Sequence, residues 1–428
     1  MALDHLLGLE CGHCGRRFPP DGDIQTLCPD CEPLYATLEC RINYHDAQAA
    51  LRKRPLRERR EPSMFRYSDL LPITDASRNV PLQIGWTPVY SCPRAATVMG
   101  LKDVLVKDDG VNPSASYKDR ASAMVVGRAM ELGYDAVCTA STGNAAASLA
   151  ACCRSVEMPC VVFVPSGTPQ SKLIQMLAYG ACVIPVAGTY DDAFNLAVDA
   201  CEEFGWMNRS AGYSPYLVEG KKTGALELVE QTSGSVPDSV FVSVGDGSII
   251  TGLCKGFSEA VKLGLISRLP KVFGVQATGA SVLVNAWNTY RETGELSLTP
   301  MPAAATIADS ICVGTPREGI RAVQAVHATG GGFIAVDESA IRAAIRELPL
   351  ETGVFGEPAS ATAYAGLKEA VRRGIVNTDA SVAVFITGSG LKDIRSAADV
   401  LVQDSQPLIL NDRVMEQVKE RIEEHEKR

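Results

Sequence analysis

From about residue 85 onward the chain alternates between short β-branched apolar runs and longer alanine-rich ones. Residues 136–141 (AVCTAS), 160–164 (CVVFV), 182–186 (CVIPV), 239–244 (SVFVSV), 272–276 (VFGVQ) and 382–387 (VAVFIT) are of the first kind. Most have too few polar positions to keep one face wet. They predict strands buried on both faces of a parallel sheet. Residues 119–132, 145–154 and 359–373 are of the second kind and predict intervening helices. Strand–helix alternation of this sort predicts an α/β fold of doubly wound open sheets.

Two ends break the pattern. The first 40 residues carry Cys11-x-x-Cys14 and Cys28-x-x-Cys31, with thirteen residues between the pairs. Two such pairs bring four thiolates to one tetrahedral zinc, so the segment reads as zinc-ribbon-like. Four protein ligands leave no open position, so such a zinc is structural. Free thiols, or a ribbon that no longer binds metal, are the alternative. His13, inside the first knuckle, reads as a bystander. Residues 41–80 read as a charged connector. Their basic run, residues 52–60 (RKRPLRERR), is expected to be a solvated face. Residues 412–428 predict a charged, peripheral helix.

Composition removes some classes. A net charge of −9 argues against the basic footprint of a nucleic-acid binder. There is no apolar stretch of about 18 residues for a membrane span, and no signal-peptide pattern. A cytoplasmic protein is expected. Most cysteines outside the first segment sit singly in apolar runs: Cys138, Cys152, Cys153, Cys160, Cys182 and Cys254. They read as small buried hydrophobes in a reducing compartment.

Ligands of open α/β sheets bind beyond the carboxyl ends of strands. Four junctions there carry chemistry. Gly245, Asp246, Gly247, Ser248 and Ile249 follow residues 239–244 and open a helix, which suits a phosphate. Ser141, Thr142, Gly143 and Asn144 follow residues 136–141 and form a nest that suits a carboxylate. Lys118 follows the Asn112-Pro113 turn at the start of an apolar helix. The positive potential of a helix N-terminus lowers a lysine's pKa, as an imine-forming amine requires. Thr387 ends the last strand with a hydroxyl for an unprotonated ring nitrogen. Each has an ordinary alternative: a tight turn, an N-cap, a surface lysine capped by Asp119, a locally satisfied threonine. Together they form the set that pyridoxal phosphate needs.

At these residues the chain resembles the threonine synthase family, of the tryptophan-synthase-β-like fold (PLP fold type II). The resemblance runs through FRYSDLLPI (65–73), GWTPVY (85–90), NPSASYKDR (112–120), ASTGNAAASLA (140–150), SKLIQMLAYGA (171–181), EGKKT (219–223), GVQATGAS (274–281), EPASA (357–361) and ITGSGLKD (386–393). It implies that Lys118 is the Schiff-base lysine and proton shuttle. It implies that Asn144 contacts the cofactor's phenolic oxygen, that Gly245, Asp246, Gly247, Ser248 and Ile249 hold its phosphate, and that Thr387 faces its pyridine nitrogen. Ser141, Thr142 and Gly143 would bind the substrate carboxylate. A homodimer is implied. The corresponding division is a ribbon (1–40), a connector (41–80), a large PLP-binding domain (81–116 and 226–410), a small mobile domain (117–225) and a C-terminal helix (411–428).

The substrate end departs from the family pattern. Asn-Pro-aromatic-Arg-x-Glu-Gly-Gln-Lys-Thr becomes Ser-Pro-Tyr-Leu-Val-Glu-Gly-Lys-Lys-Thr at residues 214–223. The arginine that binds the substrate phosphate in the family corresponds to Leu217. An upstream Asn-Ser pair corresponds to Ala211-Gly212, and the threonine after the nest to Ala145. Losing an arginine–phosphate pair removes charge-assisted hydrogen bonds worth roughly 1.5–3 kcal/mol each. Lys221, Lys222 and Arg209 are the cations available in its place, and Lys222 is taken as a substrate-binding candidate. Asp246 is a further departure, because that loop position is ordinarily uncharged in the family. Three functions follow: threonine synthase or a variant using a γ-substituted amino acid; a β-eliminating or β-replacing enzyme, dehydratase-like or cysteate-synthase-like; and a non-catalytic binder, against which Lys118 and Asn144 argue.

Overall fold

The computed structural model describes residues 5–20, 26–73, 79–402 and 414–426. The expected apolar runs form strands, and nearly all are enclosed on both faces. The strands are, in chain order, β1 (Leu6–Cys11), β2 (Arg17–Phe18), β3 (Leu38–Ile42), β4 (Val89–Ser91), β5 (Asp103–Asp108), β6 (Val137–Ala140), β7 (Cys160–Pro165), β8 (Cys182–Val186), β9 (Met207–Asn208), β10 (Ser239–Ser243), β11 (Lys271–Ala277), β12 (Gly332–Val336) and β13 (Ser381–Ile386). They pair into three sheets. A six-stranded sheet has the order β12-β11-β10-β13-β5-β4, a four-stranded sheet the order β8-β7-β6-β9, and β2-β1-β3 form an antiparallel ribbon. In the large sheet only β4 runs antiparallel to its neighbour; Val240 of β10 sits opposite Val272 of β11 and Ala383 of β13. Phe241 stacks on Phe273 with ring centroids 5.0 Å apart.

Strand β8 is the exception to burial. It is the edge of the small sheet, and Cys182 is exposed there, contrary to the expectation of a buried thiol. The other five cysteines of that group are buried.

Helices Lys118–Leu132, Asn144–Ser155 and Pro358–Arg372 lie where the alanine-rich runs predict them. Helix Tyr216–Gln231 packs between helices Lys118–Leu132 and Ser248–Lys262 at very short range. A Cβ on Gly220 would collide with the Arg120 carbonyl, and one on Gly252 with Lys221. Absent side chains thus let three backbones converge beneath the ends of the central strands.

The ribbon continues two residues beyond its expected limit, because β3 ends at Ile42. The connector then carries helix Tyr44–Lys53. Arg59, in the run expected to be solvated, is buried: its guanidinium donates to the Arg66 carbonyl at 2.5 Å and pairs with Asp69. The ribbon docks on the large-sheet helices. Lys255 donates to the Cys40 carbonyl at 2.8 Å, and Arg321 to that of Leu38 at 3.1 Å. The C-terminal helix spans Val414–Glu426. Residues 1–4 of the N-terminal reading, 21–25 of the ribbon, 74–78 of the connector, 403–410 of the large-domain expectation, and 411–413 and 427–428 of the C-terminal segment lie outside the described residues. Among the described residues no helix is long and apolar enough to cross a membrane.

Candidate active site

The large sheet changes direction between β10 and β13. The chain proceeds from β10 outward to β12 and returns at β13 on the other side. Such a switch point opens a crevice beyond the strand ends. A cavity of about 410 Å³ lies there, lined by Lys118, Asn144, the Gly245 loop and Thr387 among others.

Lys118 is set by a loop that local bonds hold rigidly. Ala115 takes a left-handed backbone (φ 63°), a conformation costing roughly 1–2 kcal/mol for a residue with a Cβ. Its amide donates to the Asn112 carbonyl at 2.7 Å, and its carbonyl accepts from Ser389 at 3.0 Å. The Tyr117 amide donates to the Thr387 carbonyl at 2.8 Å. Lysine loop and threonine loop are therefore zipped to each other. Asp119 does not neutralise Lys118: its carboxylate accepts from the Ser114 amide at 2.7 Å and from the Ser114 hydroxyl. Beneath the loop, Arg120 is fully buried. It donates to Asp109 at 2.7 Å and to both oxygens of Glu227 at 2.5 and 2.8 Å. Lys107 adds a 2.7 Å bond to Glu227. Burial alone would raise Glu227, but Arg120 and Lys107 outweigh it and hold the carboxyl at about 2.

The Lys118 amine is pushed down to about 8. Burial is the main cause and the charge of Arg209 the second, against which Asp246 and Glu357 act. The helix terminus was the cause expected from sequence; enclosure dominates instead.

On the facing wall, residues 141–143 turn into helix Asn144–Ser155, with the Gly143 amide donating to Ser141 Oγ at 3.2 Å. Asn144 Nδ2 reaches across to Glu357, 3.1 and 3.0 Å from its two oxygens. Glu357 also accepts from Ser310 at 3.2 Å. Burial raises the Glu357 carboxyl above its usual range, with Asn144 and Ser310 opposing. Thr387 is buried directly after β13, and its amide donates to Ser360 Oγ at 3.1 Å.

The Gly245 loop turns from β10 into helix Ser248–Lys262. Gly247 has φ 102°, and a Cβ there would press on Ala322, so only glycine fits. Asp246 lies on the cavity wall. One of its oxygens accepts from the Arg317 amide at 2.9 Å; the other is buried without a partner. The hydroxyl of Ser243, at the end of β10, is likewise buried and unpartnered.

The structure gathers Lys118, Ser141, Thr142, Gly143, Asn144, Gly245, Asp246, Gly247, Ser248, Ile249 and Thr387 around one cavity. It does not bring Lys222 there. That ammonium is sealed between Glu219 at 2.6 Å and Glu259 at 2.9 Å, and substrate has no route to it. Leu217 is buried in the hydrophobic core rather than in the cavity wall. Arg209 is buried with its Nε on Ser122. Two wall residues had no assigned role from sequence. Glu357 was visible only as part of a quoted motif. Arg317 had no signal, because it follows a loop rather than a strand. Its guanidinium sits 3.6 Å over the Phe194 ring and 3.9 Å from Asp191. Lys118 and Arg317 are the two cationic side chains lining the cavity among the described residues.

A second cluster lies in the ribbon. The sulfurs of Cys11, Cys14, Cys28 and Cys31 lie within 4.8 Å of one another, with Cys11–Cys31 at 3.8 Å and Cys14–Cys28 at 3.6 Å. His13 packs on Tyr35 instead of joining them.

The family model described as pyridoxal-phosphate dependent enzyme matches residues 80–388. The threonine synthase of Methanocaldococcus jannaschii is 37% identical over 385 residues, covering 90% of this chain and 92% of that protein. That of Methanosarcina acetivorans is 35% identical, covering 92% and 94%. The solved threonine deaminase isoform 2 of Solanum lycopersicum superposes with a TM-score of 0.64 at 22% identity, over 74% of this chain and 87% of that one, and shares the fold. The chain belongs to the threonine synthase family of pyridoxal-phosphate dependent enzymes.

Proposed function

We propose that the chain converts O-phosphohomoserine, or a closely related γ-substituted amino acid, to threonine, with Lys118 as the cofactor-bearing residue and the base. The observation that carries the reading is the Lys118 amine, lowered to about 8 and open to a cavity between an anion cradle and a carboxylate nest. The wall fits the cofactor. The unpartnered Ser243 hydroxyl and the Gly247 turn at the head of helix Ser248–Lys262 offer donors for a phosphate at a helix N-terminus. Bound pyridoxal phosphate supplies an aldehyde for the amine and a ring that delocalises the electrons left by α-proton loss. Thr387 would meet the ring nitrogen with a neutral hydroxyl, which favours elimination over transamination. Asn144, held by Glu357, would meet the phenolic oxygen. Lys118 Nζ would take the proton from the substrate Cα and return it later. Backbone amides of residues 141–143 orient the substrate carboxylate.

With Leu217 in the core, Arg317 is the wall cation suited to an anionic leaving group. Replacing Arg317 with alanine is expected to lower kcat/KM for O-phosphohomoserine about ten- to hundredfold, the worth of one charged hydrogen-bonding partner. A smaller effect on serine should accompany it. The burial of Leu217 in the core, where the family pattern has a phosphate-binding arginine, favours a second reading, a β-eliminating or β-replacing enzyme. O-phosphohomoserine, O-phosphoserine, serine, threonine and cysteine, assayed for phosphate, keto acid, sulfide and threonine, separate the two. Phosphate release with threonine formation supports the first; keto acid from serine with inert O-phosphohomoserine supports the second.

The pH response of cofactor capture follows from the amine. With a pKa of about 8, only about one-tenth is neutral at pH 7 and about nine-tenths at pH 9. The rate at which apo-protein captures pyridoxal phosphate should rise with pH and level off above about 9. Stopped-flow absorbance reads this, and a flat profile from pH 6.5 to 9.5 would contradict it.

The ribbon is proposed to hold one structural zinc. Zn–S bonds of about 2.3 Å in a tetrahedron place sulfurs about 3.8 Å apart, close to the separations seen here. Purified protein should release about one zinc per chain to a chromogenic chelator, and Cys14→Ser should abolish that release. Undiminished zinc in the variant would refute the site. A homodimer in the cytoplasm completes the proposal.

A further inference from the structure

Two adjacent lysines on helix Tyr216–Gln231 have opposite surroundings. Lys222 is neutralised by two carboxylates. Lys221 is just as deeply buried, at 1% exposure, yet the partner of its ammonium is the neutral hydroxyl of Ser248, at 2.5 Å. No ion pair joins it to a carboxylate among the described residues. A buried cation without an anion costs several kcal/mol, so the place calls for a negative charge. Ser248 is the first residue of its helix, where backbone amides and the dipole also favour an anion. Close packing enforces the position, since Gly252 lies against Lys221.

The neighbouring Asp246 shows the opposite fault. It brings a carboxylate into the same loop and leaves one buried oxygen without a partner. A dianion arriving there would be repelled. Both positions depart from the family pattern, which has glutamine in place of Lys221 and an uncharged residue in place of Asp246.

We propose that Lys221 supplies a buried positive charge to the cofactor phosphate at residues 245–249, and that it offsets the carboxylate of Asp246 in that loop. The inference rests on the reading of this loop as the phosphate cradle. Burial, with Lys118 and Arg209 nearby, holds the Lys221 ammonium well below the ordinary lysine range, while Asp246 and Glu318 pull the other way. An arriving phosphate would restore its charge.

The test uses full-length apo-protein titrated with pyridoxal phosphate and, separately, with pyridoxal, which lacks the phosphate. Lys221→Gln should weaken pyridoxal phosphate about ten- to hundredfold and leave pyridoxal within about threefold. Lys221→Gln/Asp246→Asn should return within about threefold of the parent. Ser248→Asp, which alters the cradle itself, should weaken pyridoxal phosphate in every background. Unchanged pyridoxal phosphate affinity in Lys221→Gln, while Ser248→Asp loses it, overturns the role of Lys221 alone. Equal losses for both ligands in Lys221→Gln assign Lys221 to folding and overturn it as well. No loss in either variant overturns the cradle reading. Should Lys221→Gln fail to fold, failure of the double variant to recover pyridoxal phosphate binding overturns the compensation.

Discussion

Lys118→Ala is expected to lower turnover by about a thousandfold or more, because in the proposed mechanism one nitrogen both holds the cofactor and moves the α-proton. The variant should also lose the visible absorbance of the covalently held cofactor. Its fold should be intact, because the Lys118 side chain makes no bond in the network beneath it: Asp119, Arg120 and the loop carbonyls carry that. Added primary amines of small size should restore a fraction of the activity, since they supply a base but not its placement. A variant retaining a tenth of the parent's turnover would be incompatible with the role assigned to Lys118.

Arg120→Met is expected to act on the fold rather than on the chemistry. Arg120, Lys107, Asp109 and Glu227 form a fully buried set with two cations and two carboxylates. Removing Arg120 leaves Asp109 without its cation, held only by the neutral donors of Asn112 and Thr87, and leaves one oxygen of Glu227 without its partner in a dry interior. Breaking a buried pair from one side costs about 3–5 kcal/mol, which is a large part of the stability of an ordinary domain. Denaturant unfolding of the apo-protein should show it as a shift of the midpoint. Because Arg120 follows Lys118 by two residues and bonds to helix Tyr216–Gln231, cofactor affinity should fall too. A change below about 1 kcal/mol would show that the network contributes little.

Much of the site was legible because its parts lie at strand-to-helix junctions. Strand β10 and the Gly245 loop, β6 and residues 141–144, β13 and Thr387 each leave a local mark: an apolar run, then glycine or a small polar residue, then a helix. The four ribbon cysteines were legible from spacing alone. Lys221 and Lys222 were not separable. They are adjacent and so point about 100° apart on a helix, and this helix is buried all round, so no polar stripe says which lysine reaches Ser248. Lys222, expected at the substrate, is sealed between Glu219 and Glu259 instead. Arg317 was invisible because it reaches the cavity from a loop joining segments that are distant from the strand ends in sequence. Cys182 looked buried because an apolar run does not reveal whether its strand is central or at an edge; β8 is an edge. The depression of the Lys118 amine was foreseen with the wrong main cause, since enclosure by the facing cavity wall cannot be read from the lysine's own helix.

Lys118 is the residue proposed to carry the cofactor. Borohydride reduction of the holoenzyme, proteolysis and mass spectrometry of the peptides test it most directly. The added mass of the reduced cofactor is expected on the peptide containing Lys118, with Lys221 and Lys222 unmodified. Stoichiometric label on another lysine, or none on any peptide, would contradict it.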